Sequence, residues 1–186
     1  SGNLIPPGTH ILAAVSGGLD SMVMLYLLHR AGYGVSVAHA NFNLRGAESD
    51  GDEDFVVSHC RAAGLAVFTR RFQTEAIASD RGISIQMAAR ELRYDWFKSL
   101  AAERGCDIIA TAHHLTDQAE TMLMNLVHGH GLPGMCGIPV RNGNIIWPLL
   151  FATRAELESF ARSEGIRWRE DSSNFTSDYQ RNFIRH

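Results

Sequence analysis

The run Ser16-Gly17-Gly18-Leu19-Asp20-Ser21 lies between an apolar stretch that ends at Val15 and a hydrophobic stretch from Met22 to Leu28. A strand that stops before two glycines can turn tightly and aim backbone N–H groups at an anion. The helix that follows points its N-terminal partial positive charge at the same place. That is the chemistry of a phosphate cradle. The Walker pattern is excluded, because it needs a Lys in the loop and the single Lys of this chain is Lys98. Phosphate charge must then be met by amides, hydroxyls, Arg and metal. Asp20 would repel phosphates unless a divalent cation lay between them, so its carboxylate argues for Mg²⁺ bridging to a nucleoside triphosphate. An ordinary strand-to-helix turn capped by Asp or Ser uses the same residue types, but the full strand-turn-helix context favours the cradle.

A second group is Ala112-His113-His114-Leu115-Thr116-Asp117-Gln118-Ala119-Glu120-Thr121. Helical spacing puts Ala119, Met122, Leu123, Leu126 and Val127 on a buried stripe and Asp117, Glu120, Thr121 and His128 on the opposite face. Two carboxylates one turn apart suit a cation, either Mg²⁺ or the ammonium of an amine substrate. A solvated face whose acids are favoured by the helix dipole has the same spacing, and spacing alone leaves both open. His113 and His114 could suggest zinc, but no further ligand cluster accompanies them. Gln86, Arg90 and Arg93 share a helical face beside the stripe Ile85, Ala89, Leu92, Trp96 and Leu100. Arginine forks suit pyrophosphate or RNA phosphate, although exposed helical Arg more often pairs with acids such as Glu91. Another polar loop, His39-Ala40-Asn41-Phe42-Asn43-Leu44-Arg45-Gly46, could meet an adenine edge through its backbone while Arg45 faces phosphate or RNA.

The elements that must hold these groups are strands near 11–15, 35–39, 66–69 and 108–111, and helices near 21–31, 50–63, 84–104 and 117–128. Their alternation predicts βαβ units in a parallel sheet, an α/β Rossmann-like domain. Ligands of such sheets sit beyond the carboxyl ends of the strands where strand order reverses, and each group above follows a predicted strand. Ser49 before Asp50 and Asp52 reads as a helix cap, with the acidic run Glu48 to Asp54 as a solvated helix start. From Gly131 to Pro148 the pattern loosens into Gly, Pro and Asn, and a helix near 153–164 closes the domain. We expect a core over 1–150 and a helical extension over 151–186, together one compact domain.

At 186 residues and 45% hydrophobic content the chain can bury one sizeable core. No run of ~18 apolar residues occurs, so no membrane helix is expected. Cys60, Cys106 and Cys136 are odd in number, widely spaced and without a C-x-x-C pair, which fits a reducing cytoplasm and disfavours a disulfide, zinc or iron–sulfur framework. A net charge of −3 does not advertise nucleic-acid binding, so any RNA contact is expected to be local or made by parts outside this chain. The ending at Arg185-His186, where a helix is beginning, predicts a catalytic domain cut from a longer protein. Oligomeric state stays open, a homo-oligomer included.

Ser16 to Ser21 resembles the S-G-G-x-D-S motif of the PP-loop ATP pyrophosphatases, which split ATP between the α and β phosphates. Further segments resemble one member family, the tRNA(Ile)-lysidine synthases. His39 to Gly46 is similar to H-V-N-H-G-L-R-G, with Phe42 and Asn43 departing. Ala112 to Thr121 is similar to G-H-H-x-D-D-Q-x-E-T, with Ala112 and Thr116 departing. Ala89 to Tyr94 follows A-R-x-x-R-Y, Trp168 to Asn174 follows W-x-E-D-x-S-N, and Arg181 to His186 follows R-N-x-I-R-H. The resemblance implies an ATP site at Ser16, Gly17, Gly18, Leu19, Asp20, Ser21, Ala38 and His39, with Asp20 toward Mg²⁺. It implies lysine binding or catalysis at His114, Asp117 and Glu120, and tRNA or phosphate contact at Arg45, Arg90, Arg93, Arg181 and Arg185. The implied reaction adenylates the wobble cytidine of tRNA(Ile) with a CAU anticodon and lets free L-lysine displace AMP, giving lysidine. A tRNA thiolase of the same superfamily is the runner-up, and a non-catalytic ATP-sensing module is the alternative from another class.

Overall fold

A computed structural model describes residues 5–127 and 137–170, the side chains of 123–127 excepted. Strand β1 (His10–Ala14) is flanked by β2 (Gly34–Asn41) and β4 (Ile108–Ala110), both parallel to it. Strand β3 (Ala66–Arg71) extends the sheet beyond β2, and β6 (Ile145–Ile146) and β5 (Arg141–Asn142) extend it beyond β4, giving the order β3-β2-β1-β4-β6-β5. Among the described residues only the β5–β6 pair is antiparallel. The fold is therefore α/β with a mostly parallel sheet. Strand order reverses between β1 and β4, so their carboxyl ends open the crevice in which such sheets bind ligands.

Both sheet faces are covered, which is why β1 reads as an unbroken apolar run rather than an alternating one. Ile11 and Ala13 point into one core, with α1 (Leu19–Arg30), Val56 and Cys60 of α2 (Ala47–Ala62), and Leu157 and Ala161 of α6 (Arg154–Ser163). Leu12 points into the other core, against Trp96, Phe97 and Leu100 of α4 (Ile85–Arg104). Helix α1 buries residues all round, from Leu19 to Leu28, because the sheet lies on one side and α6 on the other. The edge-to-face contact of Tyr26 with Phe160, 6.0 Å between ring centres, belongs to that α1–α6 seam.

Several expectations need correction. Helix α3 (Thr74–Arg81) fills a stretch that carries no helix signal, and its short run ends at Gly82 in the left-handed region. Strands β5 and β6 are two residues each, too short for any alternation, and turn through Gly143 at φ +59°. Ser49 is not the cap of α2: the helix starts at Ala47 after Gly46, and the Ser49 hydroxyl accepts from the Arg45 amide inside the first turn. Nor is the acidic run wholly solvated, since Asp52 is buried against two arginines. Ile85 is 40% exposed and lies off the buried stripe of α4, which runs through Ala88, Ala89, Trp96, Phe97 and Leu100. On α5 (Leu115–Val127) the inward and outward assignments of two residues are exchanged: Ala119 is exposed and Glu120 is buried. Leu123, Leu126, Val127 and His128 lie outside the described side chains.

Candidate functional site at the sheet switch point

The turn after β1 is built on hydroxyl and amide groups. The Ser21 hydroxyl oxygen accepts the Ser16 and Gly17 amides, both at 3.2 Å, and donates to the Gly18 carbonyl at 2.9 Å. The Gly18 amide donates to the Ser16 hydroxyl at 3.3 Å. Two successive N–H groups thus converge on one oxygen, the Ser21 hydroxyl, as the backbone of a nest does. Gly17 is required there: its φ is +98°, and a Cβ would stand 3.3 Å from the Val56 side chain. Gly18 precedes α1 with no side-chain cap, so the first-turn amides keep their positive end open. Behind the turn, the buried His39 ring donates from Nδ1 to the Val15 carbonyl at 2.9 Å, and burial holds its pKa below the ordinary value. His39 thereby pins the end of β1, and the small Ala38 beside it lines the cavity above.

Leu19 faces the core, while Asp20 on the next position turns toward β4. Its Oδ2 lies 3.2 Å from Arg154 Nη1 and 3.8 Å from His114 Nε2. Its Oδ1 is buried and has no hydrogen-bond partner. Burial is the main influence on this carboxyl and raises its pKa, opposed by His114 and Arg154 and reinforced by Asp117. An orphaned carboxylate oxygen in a phosphate-sized crevice fits a hard cation. Among the described residues no group of three or more His, Cys, Asp or Glu could complete a protein-only metal cage. That donor set suits Mg²⁺, which binds through one or two carboxylates plus substrate phosphates.

After β4 the chain passes through Thr111 and His113 to His114, where α5 begins. The Asp117 amide approaches His114 Nδ1 at 3.4 Å, and the His114 amide donates to Asp117 Oδ2 at 2.9 Å. This is the reciprocity of a capping box, with His as the cap residue. The other ring nitrogen, Nε2, is the one that faces Asp20. Asp117 and Glu120 line one cavity of about 200 Å³ with Arg90, Tyr94, His113 and Trp147. A larger cavity of about 410 Å³ shares Tyr94, His113 and Asp117 with it and extends over Ala38 to Ser16 and Asp20. A third, about 300 Å³, continues from Ser16, Gly18 and Asp20 toward Arg154 and Arg169. The three form one groove along the carboxyl ends of β2, β1 and β4.

The predicted arginines separate. Arg93 reaches the groove, its guanidinium 5.0 Å from the centre of the Phe42 ring, and burial lowers its pKa. Arg90 stands over Tyr94 at 5.3 Å and lines the acidic cavity. Arg45 is committed to Glu48 at 3.1 Å and Asp52 at 2.8 Å at the margin of the groove, because those acids lie on the first turns of α2 beside it. Arg181 and Arg185 lie outside the described residues. Asn43, which stands where the similar motif has Gly, is the only non-glycine residue at positive φ (+54°) among those described, and Asn tolerates that region. Sequence reading missed Arg154, which reaches Asp20 from the first turn of α6. It also missed Arg169, whose amide donates to the Gly17 carbonyl at 3.0 Å and whose side chain meets Asp52 at 2.6 Å. No local pattern marks either one, since both act through contacts more than a hundred positions away in the chain.

The profile of the PP-loop domain family matches residues 4–186. Curated relatives called tRNA(Ile)-lysidine synthase include one from Porphyromonas gingivalis, 47% identical over 95% of this chain and 39% of that protein. Others come from Bacteroides thetaiotaomicron, 45% identical over 98% of this chain and 43% of that protein, and from Chlorobaculum tepidum, 45% identical over 98% and 56%. The chain spans about half the length of these relatives or less. Among solved structures, a U34-tRNA thiolase from Methanococcus maripaludis superposes with a TM-score of 0.80 at 20% identity, over 97% of this chain and 65% of that one. An NMN synthetase from Francisella tularensis does so at 0.63 and 15%, over 97% and 78%. At such identities these two similarities speak to the fold.

Proposed function

This chain belongs to the PP-loop domain family, and from that premise we propose that it is the ATP-using domain of a tRNA(Ile)-lysidine synthase working in the cytoplasm. Curated lysidine synthases similar along nearly its whole length support the reading. The structural observation that carries it is the meeting of the β1 and β4 turns, with Asp20 3.8 Å from His114 and one groove running from Gly18 to Glu120. Residues 1–150 would form the ATP-binding core and 151–186 a helical extension of it.

In this reading the triphosphate of ATP lies on the amides and hydroxyls of Ser16 to Ser21, with the adenosine toward Ala38 and His39. Mg²⁺, held by Asp20 and the phosphates, would neutralise charge on the departing pyrophosphate. The C2 carbonyl oxygen of the wobble cytidine, in the CAU anticodon of tRNA(Ile), attacks the α-phosphorus and pyrophosphate leaves. Free L-lysine then attacks C2 through its amine and AMP departs. Asp117 and Glu120 would receive the lysine ammonium, and one of them would take its proton, because only the neutral amine is nucleophilic. Arg90 and Arg93, which line the same groove, would meet tRNA phosphate, as would Arg45, Arg181 and Arg185 on the motif resemblance. Sulfur transfer has less support: both described cysteines are buried, and burial pushes the Cys60 thiol up to about 11, far from thiolate reactivity.

The test is mass spectrometry of nucleosides from tRNA(Ile) incubated with this chain, ATP, Mg²⁺ and isotopically labelled lysine. The expected product is a cytidine carrying labelled lysine, formed with pyrophosphate and AMP. An unlabelled tRNA together with tRNA-independent pyrophosphate release would overturn the reading.

A further inference from the structure

We propose that Arg154 is a phosphate-responsive latch, paired with Asp20 while the groove holds no nucleotide and transferred to the outer phosphates of a nucleoside triphosphate when one binds. This rests on the ATP reading above and adds a residue and a role that neither the motifs nor the relatives' names supply.

Asp20 is a carboxylate set among groups suited to anions, so its charge needs a neighbouring cation in every state of the site. In the structure that cation is Arg154, 3.2 Å from Oδ2. The orphaned Oδ1 lies on the same carboxyl, available for a divalent ion that arrives with phosphates. Once such an ion binds, Asp20 no longer requires the guanidinium. Arg154 is well placed to move. Its backbone is fixed, because Thr153 and Glu156 form a complete capping box at the start of α6, and Leu157 and Ala161 anchor that helix in the core. Its side chain is 47% exposed and lines the 300 Å³ cavity that opens from Gly18 along the first turn of α1. Arg169, which lines the same cavity, is instead held by Asp52 and by its own amide on Gly17. A planar fork with five donors is the side chain best able to trade a carboxylate for phosphate oxygens.

The experiment compares the unaltered chain with Arg154→Gln and Arg154→Lys by calorimetric titration of ATP and AMP, each with Mg²⁺. Mn²⁺ without nucleotide is followed by electron paramagnetic resonance. Arg154→Gln should weaken ATP about tenfold, the scale of a lost charge-assisted contact. It should leave AMP within about twofold and tighten nucleotide-free Mn²⁺ about fivefold, because Asp20 loses its competitor. Arg154→Lys should recover most of the ATP affinity. Thermal melting reports whether each variant is folded, and an altered fold would weaken ATP and AMP alike. Equal ATP affinity in Arg154→Gln and the unaltered chain, equal losses for ATP and AMP, or unchanged Mn²⁺ affinity would each overturn the latch. If the unaltered chain binds no ATP, the ATP reading itself falls and the latch with it.

Discussion

His114 Nε2 and Asp20 Oδ2 face each other at 3.8 Å across the point where the sheet reverses its strand order. His114 ends the β4 turn and Asp20 opens α1, so this contact joins the two loops on which the proposed chemistry depends. The other His114 ring nitrogen meets the Asp117 amide at 3.4 Å, so one imidazole stands between Asp20 and the first turn of α5.

Replacing Asp20 by Asn should separate stability from function. Burial raises the Asp20 pKa in the folded chain, so its ionisation opposes folding. The associated stability is complete below the unfolded-state pKa and is lost as pH rises through the folded one. Asp20→Asn should therefore melt a few degrees above the unaltered chain at pH 7, while lysidine formation falls about a hundredfold or more. Melting curves and product yield measured on the same preparation check both signs.

Gly17→Ala tests the turn. The substitution forces a Cβ onto φ +98° and against Val56 at 3.3 Å, and should cost about 2 kcal/mol in denaturant unfolding. Gly18→Ala, at φ −75° with only the Ser16 hydroxyl near its added Cβ at 3.5 Å, should cost about 1 kcal/mol or less. Equal losses at the two positions would contradict the assigned geometry.

His39 and His113 both have pKa values lowered mainly by burial. Each contributes stability that is present above the unfolded value of about 6.5 and is lost as pH falls through its folded value. The chain should therefore lose stability on acidification below about pH 6.5. His39→Asn can keep a donor toward the Val15 carbonyl and should flatten part of that dependence, at about 1–2 kcal/mol for the lost ring volume. Denaturant midpoints between pH 5 and 8 provide the measurement.

Asp117→Asn and Glu120→Gln address the amine site. An Asn at 117 still offers an oxygen to the His114 amide, so stability should change by less than about 1 kcal/mol. Lysine KM should rise and product formation should fall by about a hundredfold, because an amide neither pairs with an ammonium nor takes its proton. Unchanged lysine KM and kcat in both variants would remove these carboxylates from the mechanism.

Most of the sheet was legible because its strands carry strong local signals. The runs ending at Val15 and Ala110 are apolar on both faces, and each is followed by a polar turn and a helix. The phosphate turn was legible for the same reason: Gly17 and the hydroxyls that fold around it lie within six residues. Helix α3 and the β5–β6 hairpin were not, since eight residues of weak pattern and two pairs of residues carry too little periodicity. Glu120 was placed outward on spacing, whereas the structure buries it in the wall of the cavity it shares with Arg90, Tyr94 and Trp147, residues distant in sequence.

The sequence by itself therefore determined the local chemistry: a glycine turn after a strand, hydroxyls and a carboxylate within it, two acids one helical turn apart, and the βα alternation that implies a parallel sheet. Only the tertiary structure decided which charges meet. Arg154 and Arg169 arrive at the β1 turn from the far end of the chain, Arg45 is taken up by Glu48 and Asp52, and His114 turns Nε2 to Asp20. The physical reason is that hydrogen-bonding turns and helix periodicity act over a few residues. Charge pairing acts through space, and its partners become neighbours only after the sheet and both helical layers have closed.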